Sequence, residues 1–360
     1  MLAVPDTHGN GADGLSNEEK PVSLSIAAMQ NSNRDSASTD DSYADSLRML
    51  SEGSVHKHFD PYVDIDWESP EFAVTSNDRR WILPTHGDPI GSHPWYLALP
   101  EEKQIAIGMW RQANVAKVGL QFETILIGGV LQHVFRLPNG SPEFRYCTHE
   151  MIEECNHTLM FQEMVNRIGV DVPGARPAMK LLAPFLPLAG SYLPIVFFVG
   201  ILAGEEPIDH IQKAILRSGE DIHPIMAGVM RIHVAEEARH ISFAHQFLEH
   251  HVPKMSKAGR FTLSLAFPIT MRVLCDFIAV PPPSFWKTFD IPKSVKEELF
   301  WNSPASRQTL SDYFADVRML AEEIGLMNPL SRPLWKLLKI DGKASRYRSE
   351  PSRIPARVSA

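Results

Sequence analysis

The stretch Arg231-Ile-His-Val-Ala-Glu-Glu-Ala-Arg-His240 lies inside an apolar run, Val229 to His251, that contains no Gly or Pro. Such a run reads as a helix, and on an α-helix the offsets 0, 4 and 7 share one face. His233, Glu237 and His240 therefore project together, set among Val234, Ile241 and Ala244. Two imidazoles and a carboxylate are expensive to bury unless their polar heads share a partner. A metal ion is the partner that takes N and O donors at this spacing.

A second fragment, Glu153-Glu-Cys-Asn-His157, repeats the Glu-x-x-His offset as Glu154 and His157. Two Glu-x-x-His helices, plus one Glu from each of two others, make the ligand set of the di-iron four-helix bundles. In a chain with 15 His and 43 acidic residues one such pair arises by chance. Two pairs on apolar helices, with His233 one turn before Glu237, form a rarer pattern. The competing reading is a set of surface ion pairs and satisfied core histidines.

The run His-Val-Ala-Glu-Glu-Ala-Arg-His-Ile-Ser-Phe-Ala, residues 233–244, resembles the fourth core helix of the AurF-type arylamine N-oxygenases. These are non-haem di-iron enzymes marked by a third histidine ligand. The resemblance covers roughly residues 55–335, strongly at the metal motifs and weakly where substrate sits. It implies an all-α fold: a ferritin-like four-helix bundle core with extra helices and an irregular N-terminal wrap. It also implies two iron ions, dioxygen as co-substrate, and oxidation of an aromatic amine to hydroxylamine, nitroso or nitro.

Composition bounds the alternatives. With 360 residues and 44% hydrophobic content the chain can bury a sizeable core. A net charge of −8 gives no support to nucleic-acid or anionic-membrane binding. Three cysteines (Cys147, Cys155, Cys275) make no disulfide framework, which fits a reducing, cytoplasmic setting. Cys147 and Cys155 read as small buried fillers. Residues 1–20 lack the basic start and apolar core of a secretory signal. Leu181 to Gly204 is long enough to suggest a membrane span, but Pro184, Pro187, Gly190 and Pro194 cut it and Glu205-Glu206 follow. It reads as a buried bundle helix preceded by an irregular segment, so no membrane span is expected.

Taken in order, residues 1–42 are polar and read as a disordered or loosely ordered segment. A short helix over Tyr43–Leu50 precedes the aromatic stretch His58–Trp67, which should pack across the bundle, and an irregular wrap to Pro94. The oxygenase domain spans 43–335. Its first core helix starts near Pro100 and ends about Val134, carrying Glu123 as the lone acid of its apolar body. The second opens at Ser141-Pro142-Glu143, with Ser141 as cap, and stops at Gly169. It carries Glu154 and His157; His149 is a candidate support for the ligands, and Glu153 should turn to solvent.

The third helix runs from Pro194 to Leu216 and supplies Glu205 or Glu206. The seam Phe198, Ile201, Glu205, Ile208, Gln212, Ile215 favours Glu205, although Pro207 loosens the helix there. The fourth, opened by Asp221 as cap, carries His233, Glu237 and His240, with Glu236 and Arg239 beside them as supports or as partners of Asp209. Asp209 is itself a candidate acceptor for a ligand imidazole. A fifth helix covers Ser256–Ala279 and a sixth Ser311–Ile324. Residues 336–360 form a basic tail read as a solvated end.

The expected metal ligands are thus Glu123, Glu154, His157, Glu205, His233, Glu237 and His240. Four carboxylates balance two divalent irons and suit dioxygen activation; without a thiolate set zinc is disfavoured, and manganese stays open. No Gly-x-Gly-x-x-Gly fingerprint is present, so electrons come from a separate reductase or from the substrate. In relatives acting on aminobenzoates an arginine on a late helix meets the carboxylate, and Arg318, near Tyr313, is the matching candidate; the plainer reading pairs it with Glu322. Other readings are a di-iron C–H hydroxylase or desaturase, or a non-catalytic iron-binding protein. A homodimer is compatible with the sequence.

Overall fold

Proline and glycine divide the chain where the helices start and stop, and the computed structural model follows that punctuation. It describes residues 40–350; the reading of residues 1–42 as loose lies outside the described residues except at its last three positions, as does that of 351–360. Helix α1 covers residues 40–56. Two 3-10 turns and the short α2 (Pro94–Leu97) interrupt the wrap that follows. Then come α3 (Glu101–Val134), α4 (Pro142–Ile168), α5 (Pro177–Leu182), α6 (Leu188–Tyr192), α7 (Pro194–Arg217), α8 (Pro224–His251) and α9 (Lys257–Ala279). Five short helices close the chain: α10 (Pro283–Thr288), α11 (Lys293–Leu299), α12 (Pro304–Asp312), α13 (Ala315–Glu323) and α14 (Arg332–Leu337). Among the described residues there is no strand, and the fold is the all-α, ferritin-like bundle.

Helices α3, α4, α7 and α8 are the bundle, with α3 against α4 and α7 against α8, and α9 laid along α7. Small residues set how closely they pack. A Cβ at Gly204 would stand 2.1 Å from Phe122 Cζ, so only glycine lets α7 close on α3 beside Glu205. Likewise a Cβ at Gly190 would meet the Gly129 carbonyl at 2.0 Å, which seats α6 on α3. The apolar run from Leu181 is divided among α5, α6 and α7 as its prolines demand. By length and composition the stretch Lys257–Thr288 could cross a membrane. Its Ser264, Phe267, Met271 and Cys275, however, are fully buried in the core.

The structure differs from sequence expectation at several helix ends. Ser141 makes no side-chain cap on α4; Pro142 at the first position starts the helix without it. The α8 cap is His223, whose Nδ1 accepts from Ile225 N–H, and not Asp221. The expected helix 311–324 is broken at Tyr313–Phe314 into α12 and α13. Cys155 is exposed, while Cys147 and Cys275 are buried. The described part of the basic tail is not a solvated end: Ile340 is fully buried in the core and Ser345 N–H donates to the Ala315 carbonyl.

The wrap reaches the centre. Ile65, Trp67 and Trp81 are buried, and Trp67 Nε1 donates to the Pro61 carbonyl. The Phe59 amide donates to Glu236 Oε1 at 3.2 Å, and Asn156 Nδ2 donates to the Phe59 carbonyl at 3.0 Å. An irregular segment therefore holds a carboxylate deep in the bundle.

Candidate metal centre

Helical spacing on four neighbouring rods aims seven donors at one volume. Glu123 comes from α3, Glu154 and His157 from α4, Glu205 from α7, and His233, Glu237 and His240 from α8. All are buried, with at most 2% of any residue exposed. Three overlapping groups have ligand atoms within 4.8 Å of one another: Glu123, His157, His233 and Glu237; Glu154, His157, Glu237 and His240; and Glu123, Glu154 and Glu205. Glu123, Glu154, His157 and Glu237 each belong to two groups, so the three groups make one continuous cluster. Glu206, the alternative on α7, points elsewhere: its Oε1 accepts from His245 Nε2 at 2.6 Å.

Whether these residues suit metal ions can be tested on the polar atoms themselves. Buried polar atoms are normally hydrogen-bonded. Here Glu205 Oε1 and Oε2, Glu123 Oε2, Glu237 Oε2 and His233 Nε2 are buried with no hydrogen-bond partner. His240 Nδ1 lies 2.8 Å from Glu154 Oε1, yet that oxygen too has no hydrogen bond. Donor atoms that crowd together without bonding one another suit shared cations. Without cations, burial and neighbouring carboxylates push Glu123 and Glu205 well above the usual carboxylate range. Replacing such mutual repulsion by coordination is what makes the cluster tolerable.

A second layer of groups fixes the imidazoles. His157 Nε2 donates to Glu236 Oε2 at 2.9 Å, and His240 Nε2 donates to Glu153 Oε2 at 2.7 Å. Each Glu-Glu-x-x-His motif thus uses its second Glu at the cluster and its first to hold the histidine of the other motif. Arg239 ties the outer acids together, 2.8 Å from Glu153 and 3.7 Å from Glu236. His233 is held differently: its Nδ1 donates to the Gln212 amide oxygen at 2.9 Å. Burial pulls every imidazole down, but the Glu154 and Glu236 carboxylates outweigh it at His157, which is pushed up to about 10. At His233 burial wins and the ring falls to about 4.

These contacts correct several expectations. Glu153 is buried and bonded, not solvated. Asp209 accepts no ligand imidazole; it pairs with Lys213 at 2.6 Å. His149 is only half-buried and stands outside the three donor groups. Arg318 is not placed to meet a substrate. Its guanidinium is buried and donates to the carbonyls of Lys343, Ser311 and Ile340, clamping the tail onto α12 and α13. Nor does it pair with Glu322, whose partner is Arg332 at 3.4 Å.

Glu153, Glu236 and Gln212 carried a legible signal: the doubled Glu-Glu of both motifs, and the two-turn offset of Gln212 from Glu205 on the α7 seam. The Phe59 amide carried none. Beside His233 a cavity of about 40 Å³ is lined chiefly by apolar side chains, among them Gly119, Phe122, Phe161 and Met230.

Comparison with known proteins agrees with this geometry. The sequence profile of the p-aminobenzoate N-oxygenase AurF family matches residues 40–325. A Mycobacterium bovis protein and a Mycobacterium tuberculosis protein, both described as uncharacterised, are each 63% identical over 314 residues, covering 87% of this chain and 92% of the relative. Matched over most of its length, with buried Glu and His donors gathered at the bundle centre, the chain belongs to the AurF p-aminobenzoate N-oxygenase family.

Proposed function

We propose that the protein is a dioxygen-dependent di-iron oxygenase that oxidises the nitrogen of an aryl amine. The observation that carries this reading is the convergence of Glu123, Glu154, His157, Glu205, His233, Glu237 and His240 with their orphaned donor atoms. One ion could not use all seven side chains in overlapping groups, whereas two adjacent ions could, held by these four carboxylates and three imidazoles. When bound, the iron pair would supply reduction of dioxygen and delivery of one of its oxygen atoms.

The protein's own part is to hold and to exclude. Glu236, Glu153 and Gln212 fix the ring orientation of His157, His240 and His233. Phe122, Phe161 and the methionines of the cavity wall keep bulk water from the donors. The first oxidation balances as amine plus dioxygen plus two electrons and two protons, giving hydroxylamine and water. The electrons come from a separate reductase. A small homo-oligomer in the cytoplasm is part of the same reading.

The test is to load the purified protein with iron, reduce it without oxygen, expose it to isotopically labelled dioxygen with aryl amines and acyl substrates, and analyse the products by mass spectrometry. Labelled oxygen on amine nitrogen is the expected result. Oxidation of acyl carbon alone would make the protein a C–H hydroxylase or desaturase. A normally folded protein that takes up no iron would end both readings.

A further inference from the structure

On α3 the residues Gln112, Ala116, Gly119 and Glu123 recur every three to four positions and share one face, which walls the cavity beside the donor cluster. From Glu123 to Gln112 that wall runs three turns, about 16 Å. Opposite stand Met226, Val229 and Met230 of α8, and Ile278 of α9 closes the side. The space between them holds only a few waters at about 40 Å³, so the walls must move to admit a ring. Methionine is the side chain best able to do so.

Charge along the wall is one-sided. Among the described residues that line the cavity, the ionisable ones are Glu123, Glu205 and His233, all in the donor cluster, and none is a lysine or arginine. Nearby cations stand outside the lining and are engaged there, although Arg111 Nη1 and Arg176 Nε keep no hydrogen-bond partner. Arg111 is held by Asp88 at 2.8 Å and the Ala279 carbonyl at 2.7 Å; Lys117 donates to the Val172 carbonyl at 2.8 Å; Arg176 donates to the Val280 carbonyl at 3.2 Å. A carboxylate on the substrate would be buried without a partner beside a cluster already rich in acids. Gln112, only 4% exposed, lines the cavity. It offers a neutral donor and a neutral acceptor to whatever fills the far end of the trough.

We propose that this cavity takes an elongated, uncharged amine whose distal polar group is a neutral hydrogen-bonding group read by Gln112, and that it rejects arylamines bearing a carboxylate there. The inference rests on the N-oxygenase reading for the reacting end and concerns only the other end of the molecule. It makes Gln112 a specificity determinant.

The test uses iron-loaded protein and three ligands of one shape: 4'-aminobiphenyl-4-carboxamide, the matching carboxylate, and the matching 4-methyl compound. Binding is measured by calorimetry, and turnover separately. The carboxamide should bind at least about tenfold more tightly than the carboxylate and also more tightly than the methyl compound. Gln112→Leu, which is sterically mild in an apolar wall, should erase the advantage of carboxamide over methyl. Gln112→Arg should reverse the order of carboxamide and carboxylate. If burying that cation unfolds the protein, Gln112→Leu carries the test alone. Equal or tighter binding of the carboxylate by the native protein overturns the inference, as does an unchanged carboxamide-to-methyl ratio in Gln112→Leu or failure of all three to bind. Selective binding of the carboxamide without oxidation of its amine would sustain the inference and remove the N-oxygenase reading.

Discussion

The two histidines of the Glu-x-x-His motifs and the third histidine meet the same cluster under opposite conditions. His157 and His240 have their outer nitrogens on carboxylates, Glu236 and Glu153, themselves bridged by Arg239. His233 has its outer nitrogen on a neutral amide and its ring against the cavity. A carboxylate behind an imidazole raises its basicity and fixes its orientation; an amide mainly orients. Ionisation differs too: against burial, Glu154 first and Glu236 behind the ring push His157 up to about 10, whereas burial takes His233 down to about 4. The comparison teaches that the two ends of the donor cluster are held by different chemistry, bridged carboxylates at one and a neutral amide at the other, the more adjustable end beside the cavity.

The harshest way to break this comparison is to delete one imidazole from each end. His240→Ala should lower iron affinity by about a thousandfold, because it removes a ligand and leaves the buried Glu153 with Arg239 as its one strong partner. His233→Ala should lower affinity by only about tenfold while abolishing most turnover, with helicity by circular dichroism unchanged in both. Iron per chain after equilibration with a competing chelator reads the difference. Equal losses would mean the third histidine is an ordinary ligand.

The next effect is on protons. In the metal-free protein burial raises Glu123 and Glu205 well above the normal carboxylate range. Burial pulls His157 and His240 down, but the Glu154 and Glu237 carboxylates outweigh it and hold both rings above the usual imidazole range. These groups therefore carry protons near neutral pH and must release them to bind metal. The sign is that affinity rises with pH and falls on acidification, by about tenfold per pH unit for each proton displaced. Titration calorimetry in buffers of different ionisation enthalpy counts the protons. Binding that is independent of pH between 6 and 8 would show that the raised groups are not the ligands.

A smaller effect separates the supports. Glu236→Gln and Glu153→Gln each keep shape but remove the charge behind one imidazole, and each should weaken iron binding by about 10- to 100-fold. Glu153→Gln should also loosen Arg239, whose other acidic contact, Glu236, is longer at 3.7 Å. Chelator competition on the two variants tests whether the reciprocal pairing of the motifs is as symmetrical in energy as it is in geometry.

Much of this was readable beforehand, and the reason is periodicity. The core helices α3, α4, α7 and α8 are long, uninterrupted and bounded by Pro or Gly, so their faces follow from counting residues. That counting put the seven candidate side chains on faces that meet, and it favoured Glu205, which stands in the cluster, over Glu206, which pairs with His245. It failed where partners come from far away in sequence. Glu153 looked solvated because its contact, His240, is on another helix, 87 residues on. Arg318 looked set to meet a substrate carboxylate or Glu322 because the carbonyls that satisfy it, Ile340 and Lys343, belong to a tail with no helical pattern. Caps failed for local reasons: on α4 Pro142 starts the helix without Ser141, and on α8 the imidazole of His223, not Asp221, takes the Ile225 amide.

The smallest effect tests the adjustable end directly. Gln212 Oε1 accepts the Nδ1 proton of His233, which leaves Nε2 facing the cluster without a partner. Gln212→Leu removes that acceptor without adding charge, so the ring keeps its space but loses its orientation. Iron affinity should fall by no more than about fivefold, since one neutral hydrogen bond contributes about 1 kcal/mol or less. Gln212→Glu makes the opposite change, placing a carboxylate behind His233 as behind His157. Affinity should then rise, and the optical spectrum of the loaded protein should shift as His233 becomes a stronger donor. A Gln212→Glu protein with unaltered spectrum and affinity would mean that the charge behind the imidazole does not distinguish the two ends, and the contrast drawn from it would fail.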